Sequence, residues 1–145
     1  MNHSLAKFPD SIRLQITIGK RKKLVECELA SSSVEIMLSL NNRISIENPM
    51  VLYFDNPLIQ SFSRQKFKIS VEQICVDYKT NLVKRYSVLN PSKYKGDFIQ
   101  SYSEFSMVIL SPIGFFSKGL IVENKTIITP LNFTATFRVT NHKSI

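Results

Sequence analysis

Two runs of strict period-two alternation, joined by one glycine-led turn, constrain this chain most. Leu14, Ile16 and Ile18 alternate with Arg13, Gln15 and Thr17, and Val25, Cys27 and Leu29 alternate after Gly19 and four cations. Residues two apart share one face of a strand, so each run has an apolar and a polar face. The pair predicts a β-hairpin whose tip carries Lys20, Arg21, Lys22 and Lys23.

The same signature recurs down the chain. Pro49 leads into an apolar run ending at Phe54, and Asp55-Asn56-Pro57 supplies a strong turn signal. Residues 62–77, FSRQKFKISVEQICVD, predict a central strand crossing most of the core. Phe67, Ile69 and Val71 share a face there. Ile74 and Val76 resume an apolar face beyond Glu72, which needs a bulge or a strand buried on both sides. Residues 82–89 return as a second hairpin, and 91–104 form the longest irregular stretch. Short apolar runs at 106–110, 120–122, 126–129 and 131–139 complete the series.

The period changes clearly once. Ser32 followed by Glu35 fits a capping box, in which each side chain satisfies an amide at a helix start. Val34, Met37 and Leu38 then share one helical face, and Asn41-Asn42 stop a helix of two or three turns. Phe115 to Gly119 is a second helical candidate. About eight or nine short strands with one or two short helices predict a mainly β fold, a small closed or nearly closed β-barrel. Closure hides the sheet edges that would otherwise pair with other chains. Residues 1–10 read as an N-terminal arm, 11–140 as a single domain, and 141–145 as a loose tail.

Composition narrows function by exclusion. Four Gly argue against a glycine-rich phosphate loop, and no apolar run approaches the roughly 20 residues of a membrane-spanning helix. Cys27 and Cys75 lie inside apolar alternations without a C-x-x-C pattern, which suits small buried hydrophobes. A disulfide between them stays open, because spacing alone does not set their distance. The compartment stays open with it: cytoplasmic, or envelope or exported if a leader was removed. His3 and His142 stand near the two ends without ligand spacing, so neither a metal site nor a cofactor is expected.

The net charge of +8 is the compositional oddity. Scattered lysines on a solvated surface account for most of it. Residues 20–23 are the one cluster, a candidate anion-binding site for phosphates or nucleic acid. Phe62, Arg64 and Lys66 interleave an aromatic with cations, a pattern that suits stacking beside charge. Glu72, with Asp77 or Asp97, is the candidate pair for carboxylate chemistry; the plainer reading of Glu72 is a surface partner for a cross-strand cation.

These residues carry a resemblance. The stretch resembles the middle motif of the bacterial and archaeal domain-of-unknown-function family 192, with Phe62, Ile69, Val71, Glu72 and Asp77 at matching positions. Upstream, Ala30, Glu35, Leu40, Arg43, Met50 and Phe54 fit the family pattern, and downstream Pro112-Ile113-Gly114 and Gly119 do. Ser63, Arg64, Lys66, Phe67 and Ser70 depart from it, as do Ser39 and Pro49 where the family carries glycine. The resemblance implies a distant member with a compact, mostly β, barrel-like domain. Many members are exported, which extends to this chain an envelope location where a leader is removed. It implies no reaction and no cofactor.

The combined expectation is a non-catalytic β-barrel domain that binds a ligand or protein partner, leaning away from an enzyme. Its candidate ligand-binding residues are Phe62, Arg64, Lys66, Glu72 and Arg43, with the contact surface on residues 62–68 and 91–104. The alternatives are a basic anion or nucleic-acid-binding module, and a carboxylate-dependent hydrolase or lyase.

Overall fold

In a computed structural model of the chain, the structure describes residues 10–32, 35, 45–54, 61–64, 68–91, 98–101 and 104–133. Among these residues nine strands are formed: β1 (Ser11–Ile18), β2 (Arg21–Ala30), β3 (Met50–Tyr53), β4 (Ser61–Arg64), β5 (Val71–Asp77), β6 (Val83–Leu89), β7 (Phe98–Ser101), β8 (Phe105–Pro112) and β9 (Ile127–Phe133). Seven make one sheet in the order β6-β5-β8-β3-β2-β1-β9, and β4 pairs with β7 in a separate ribbon. All pairs are antiparallel except β2 with β3.

The hairpin read from the alternation is present in register, Ile18 opposite Arg21 and Ile12 opposite Cys27. Gly19 has φ +57° at the first loop position, where a type II′ turn needs a left-handed backbone. Ile12, Leu14, Ile16, Val25, Cys27 and Leu29 line one face of this hairpin and join the larger apolar cluster.

The central strands β3, β5 and β8 are buried on both faces. Val51, Ile74, Val76, Met107 and Ile109 face the first cluster. Met50, Leu52, Val71, Cys75, Val108 and Leu110 face a second one on the opposite side. Strands that bury both faces read as continuous apolar runs, which explains why Ile74-Cys75-Val76 lacks alternation. Cys27 and Cys75 therefore sit in different clusters, as free buried thiols.

Three expectations are corrected. The seven-stranded sheet is not closed: it runs from β6 to β9, so the anticipated barrel is replaced by an open sheet. Its two edges meet at one antiparallel bridge, Leu82 with Ile127, supported by Val83 N–H on Thr126 O at 2.9 Å and Ile128 N–H on Asn81 O at 2.9 Å. Second, the single strand expected over 62–77 is two strands in different sheets, β4 in the ribbon and β5 in the main sheet. Third, the irregular stretch 91–104 contains β7.

Phe115 to Gly119 is a run of turns rather than a helix. The segment folds back under the first cluster with Phe116, Leu120 and Ile121 buried, so burial and not helical periodicity placed the apolar residues there. The capping box is formed: Glu35 N–H donates to Ser32 Oγ at 3.1 Å, and Glu35 Oε1 accepts from Ser32 N–H at 3.3 Å and Ser31 N–H at 3.0 Å. Glu35 is helical; the remainder of that predicted helix, residues 1–9 of the N-terminal arm and residues 134–145 lie outside the described residues. No helix among the described residues is long and apolar enough to cross a membrane.

Candidate functional site

The β4–β7 ribbon joins the two segments that the sequence singles out. Phe62 stands opposite Gln100, and Arg64 opposite Phe98. The strand that carries Phe62 and Arg64 thus pairs with the strand inside the 91–104 stretch, in a ladder that the main sheet does not share. Arg43 and Lys66 lie outside the described residues, as does Asp97.

Glu72 is placed elsewhere, on β5 between Val88 and Ser111. Its Oε1 accepts from the Tyr86 hydroxyl at 2.8 Å, and its Oε2 accepts from Gly114 N–H at 3.1 Å. Gly114 has φ +78° and closes a tight turn in which Phe115 N–H donates to Pro112 O at 3.1 Å. That left-handed position, third in the turn, favours glycine. The carboxylate ties the turn after β8 to β5 and β6. Neither the surface ion pair nor a free acid–base group describes it.

Asp77 closes the other end of β5. Its Oδ2 accepts from Lys79 N–H at 3.0 Å, Thr80 N–H at 2.9 Å and Thr80 Oγ1–H at 2.9 Å. Slight burial pushes its carboxyl up. The two Thr80 bonds, the Lys79 amide and the Lys84 charge outweigh that and hold it below the usual carboxylate range. Five residue steps along the strand separate Glu72 from Asp77, about 17 Å at strand rise. The two carboxylates do not converge on one point, as a two-carboxylate hydrolase or lyase needs.

A shallow depression of about 280 Å³ lies beside the Pro112 turn, lined by Ser45, Ile46, Ile69, Ser70, Pro112 and Ile113. Among the described residues its lining holds no ionisable side chain, and Glu72 is not one of those that line it. The cationic tip is solvent-facing: Lys20, Arg21, Lys22 and Lys23 are all exposed. Arg21 reaches back to donate to Ser117 Oγ at 3.1 Å, so one of the four cations is braced against the turn segment.

Several structural side chains escaped the sequence reading. Thr126 is buried, donates to Leu120 O at 2.7 Å and accepts from Val122 N–H at 2.8 Å. Glu123 accepts the Tyr86 N–H at 2.8 Å, and Lys84 Nζ donates to Asn124 Oδ1 at 3.0 Å. At the Asp77–Thr80 turn the signal is local, a short polar side chain bonding the backbone just ahead of it. The Glu123–Tyr86 and Lys84–Asn124 contacts join residues about 40 positions apart, and local sequence carries no signal for them.

Fold and site together define a mainly β domain with a seven-stranded open sheet and a separate two-stranded ribbon. No family model matches the chain, and no curated protein does. Two solved structures are similar to it. One is a putative transcription regulator from Sinorhizobium meliloti, with TM-score 0.61 and 10% identity, over 86% of this chain and 96% of that one. The other is a protein of unknown function from Novosphingobium aromaticivorans, with TM-score 0.63 and 14% identity, over 86% of this chain and 91% of that one. At these identities the likeness establishes a shared fold.

Proposed function

We propose that the chain is a non-catalytic binding module that takes a ligand or protein partner on the β4–β7 ribbon. The observation that carries this reading is the pairing of residues 61–64 with 98–101 in a ladder of its own. A two-stranded ribbon is marginal alone, so an element of this kind outside the main sheet suits a contact surface better than a structural role. Phe62 and Arg64 supply an aromatic and a cation, which suit an anionic or carbohydrate-like partner. The resemblance to the domain-of-unknown-function family 192 belongs with this proposal.

A panel of an acidic peptide, an oligosaccharide and a single-stranded oligonucleotide, titrated against isotope-labelled protein, tests it. Amide shifts concentrated on residues 61–64 and 98–101, and lost in a Phe62→Ala, Arg64→Ala double variant, are the expected result. Shifts that avoid the ribbon for every probe remove the reading.

The second reading is anion or nucleic-acid binding through the hairpin tip, favoured by the exposure of all four cations there. Its affinity falls steeply with salt, because phosphate contacts release counterions. Salt-independent binding, or none to any polyanion, removes it.

A further inference from the structure

We propose that two copies of this chain associate by antiparallel pairing of the outer edge of β2, centred on Leu24. The β1–β2 register decides which backbone groups are available. Leu29 N–H donates to Asp10 O at 2.9 Å, so residues 21, 23, 25, 27 and 29 of β2 bond toward β1. The groups of Lys22, Leu24, Glu26 and Glu28 point the other way. Glu28 N–H is taken by Pro49 O at 3.0 Å, where the neighbouring chain enters β3, and β3 pairs only with residues 28–30 of β2. Among the described residues, Lys22, Leu24 and Glu26 have no strand beyond them.

The two end strands of the seven-stranded sheet are managed differently. Asn124 N–H on Val83 O at 2.7 Å, Val83 N–H on Thr126 O and Tyr86 N–H on Glu123 cover the edge of β6. On β9, the edge carries Pro130, a register shift opposite Arg13 and Leu14, and the bridge to Leu82. Proline and bulges are how natural sheets blunt an edge. The β2 edge has neither and presents Leu24 with 58% of its surface exposed; the charges that flank it, Lys22 and Glu26, are opposite in sign, so they block like-charged strands and complement an antiparallel copy.

Its side chains favour a second copy. The hairpin is cationic at the tip, residues 20–23, and carries exposed Glu26 nearer its base, where Oε1 lies 3.5 Å from Arg13 Nη2 in a solvent-exposed pair that leaves the carboxylate open to a second cation. A two-fold axis through Leu24 sets Leu24 against Leu24 and each Lys22 against the partner copy's Glu26. Both cross-strand pairs are opposite in charge, and the two leucines cover each other. Such an interface is isologous, the form a two-fold dimer requires. The ladder ends with Lys22 opposite Glu26, just short of the position Pro49 occupies. The short contact makes the association weak and concentration-dependent.

Sedimentation and amide exchange on the whole chain test the proposal. The mass rises toward a dimer with concentration, and exchange at Lys22, Leu24 and Glu26 slows as it does. Leu24→Pro removes an outward N–H without touching the β1 ladder, and weakens association by at least about tenfold. Lys22→Glu and Glu26→Lys each weaken self-association by about tenfold, and mixing the two variants restores it as a heterodimer. A monomer at every concentration up to the millimolar range overturns the proposal. So does association unchanged in Leu24→Pro, or a mixture of the two charge variants no tighter than either alone. Slowed exchange at the three amides only with added acidic peptide or oligonucleotide would give the edge to another partner and likewise overturn it.

Discussion

Tyr86 on β6 donates its hydroxyl to Glu72 on β5 at 2.8 Å, and the other oxygen of that carboxylate holds Gly114. Glu72 is thereby a tie between the edge of the sheet and the turn after β8. Burial, then the hydrogen bond to Glu72 and its negative charge, push the Tyr86 phenol up to about 12. A raised phenol favours the protonated form in the folded state. Its stabilisation is complete below the unfolded value near 10 and is lost as pH rises from there through about 12. Tyr86→Phe removes the donor and destabilises by about 1 kcal/mol at neutral pH, with a shallower alkaline fall. Glu72→Gln brings the Tyr86 ultraviolet titration closer to its ordinary value. A midpoint unmoved by that substitution rejects the coupling.

Asp77 gives the opposite sign. Its carboxyl is held low, so the stability it contributes is present above the unfolded value near 4 and is lost as pH falls through the folded value. Asp77→Ala leaves the Lys79 and Thr80 amides to solvent and costs about 1 kcal/mol at pH 7, a small figure because the site is exposed. In urea unfolding the gap between the two proteins narrows below pH 4. A gap independent of pH would show that the turn, and not its charge, carries the effect.

Thr126 is a buried hydroxyl with two backbone partners, Leu120 O and Val122 N–H. Thr126→Val keeps the shape and strands both groups, which predicts a loss of about 2–4 kcal/mol in urea unfolding. Thr126→Ser retains the hydroxyl and loses one methyl, so its loss is about 1 kcal/mol. Equal losses in the two variants would assign the role to packing alone.

What the chain announced of itself followed burial geometry. The β1–β2 hairpin was legible residue by residue because, up to Cys27, only one of its faces is buried, so alternation survives. β5 was legible as a strand but not as a separate one. Buried on both faces, it loses its period, and nothing local marks the break between Arg64 and Val71 where the chain changes sheets. An open sheet and a barrel share strand count and turn spacing, and they differ only in how β6 and β9 meet. Those are long-range bonds to Thr126 and Asn81. Phe62 and Arg64 were singled out on composition, but their pairing with β7 was not readable, because β7 is four residues in a stretch full of turn formers. Glu72 was noticed for its position in the strand; its two partners lie 14 and 42 residues away.

The last prediction concerns the two cysteines, whose spacing left a disulfide open. Cys27 faces the first cluster and Cys75 the second, and a bridge would have to pass through the sheet. Desolvation by burial pushes both thiols up to about 12; Glu26 adds to the rise at Cys27, and Arg85 opposes it at Cys75. Because the thiolate is the reactive species, labelling of the native protein at pH 8 by an aromatic disulfide reagent is about a thousandfold slower than in the unfolded chain. Both thiols react at once in denaturant, and a reductant leaves the melting temperature unchanged. Prompt labelling of one native thiol would place that residue outside its cluster. A reductant-sensitive melting temperature would instead require the two strands to approach on a common face.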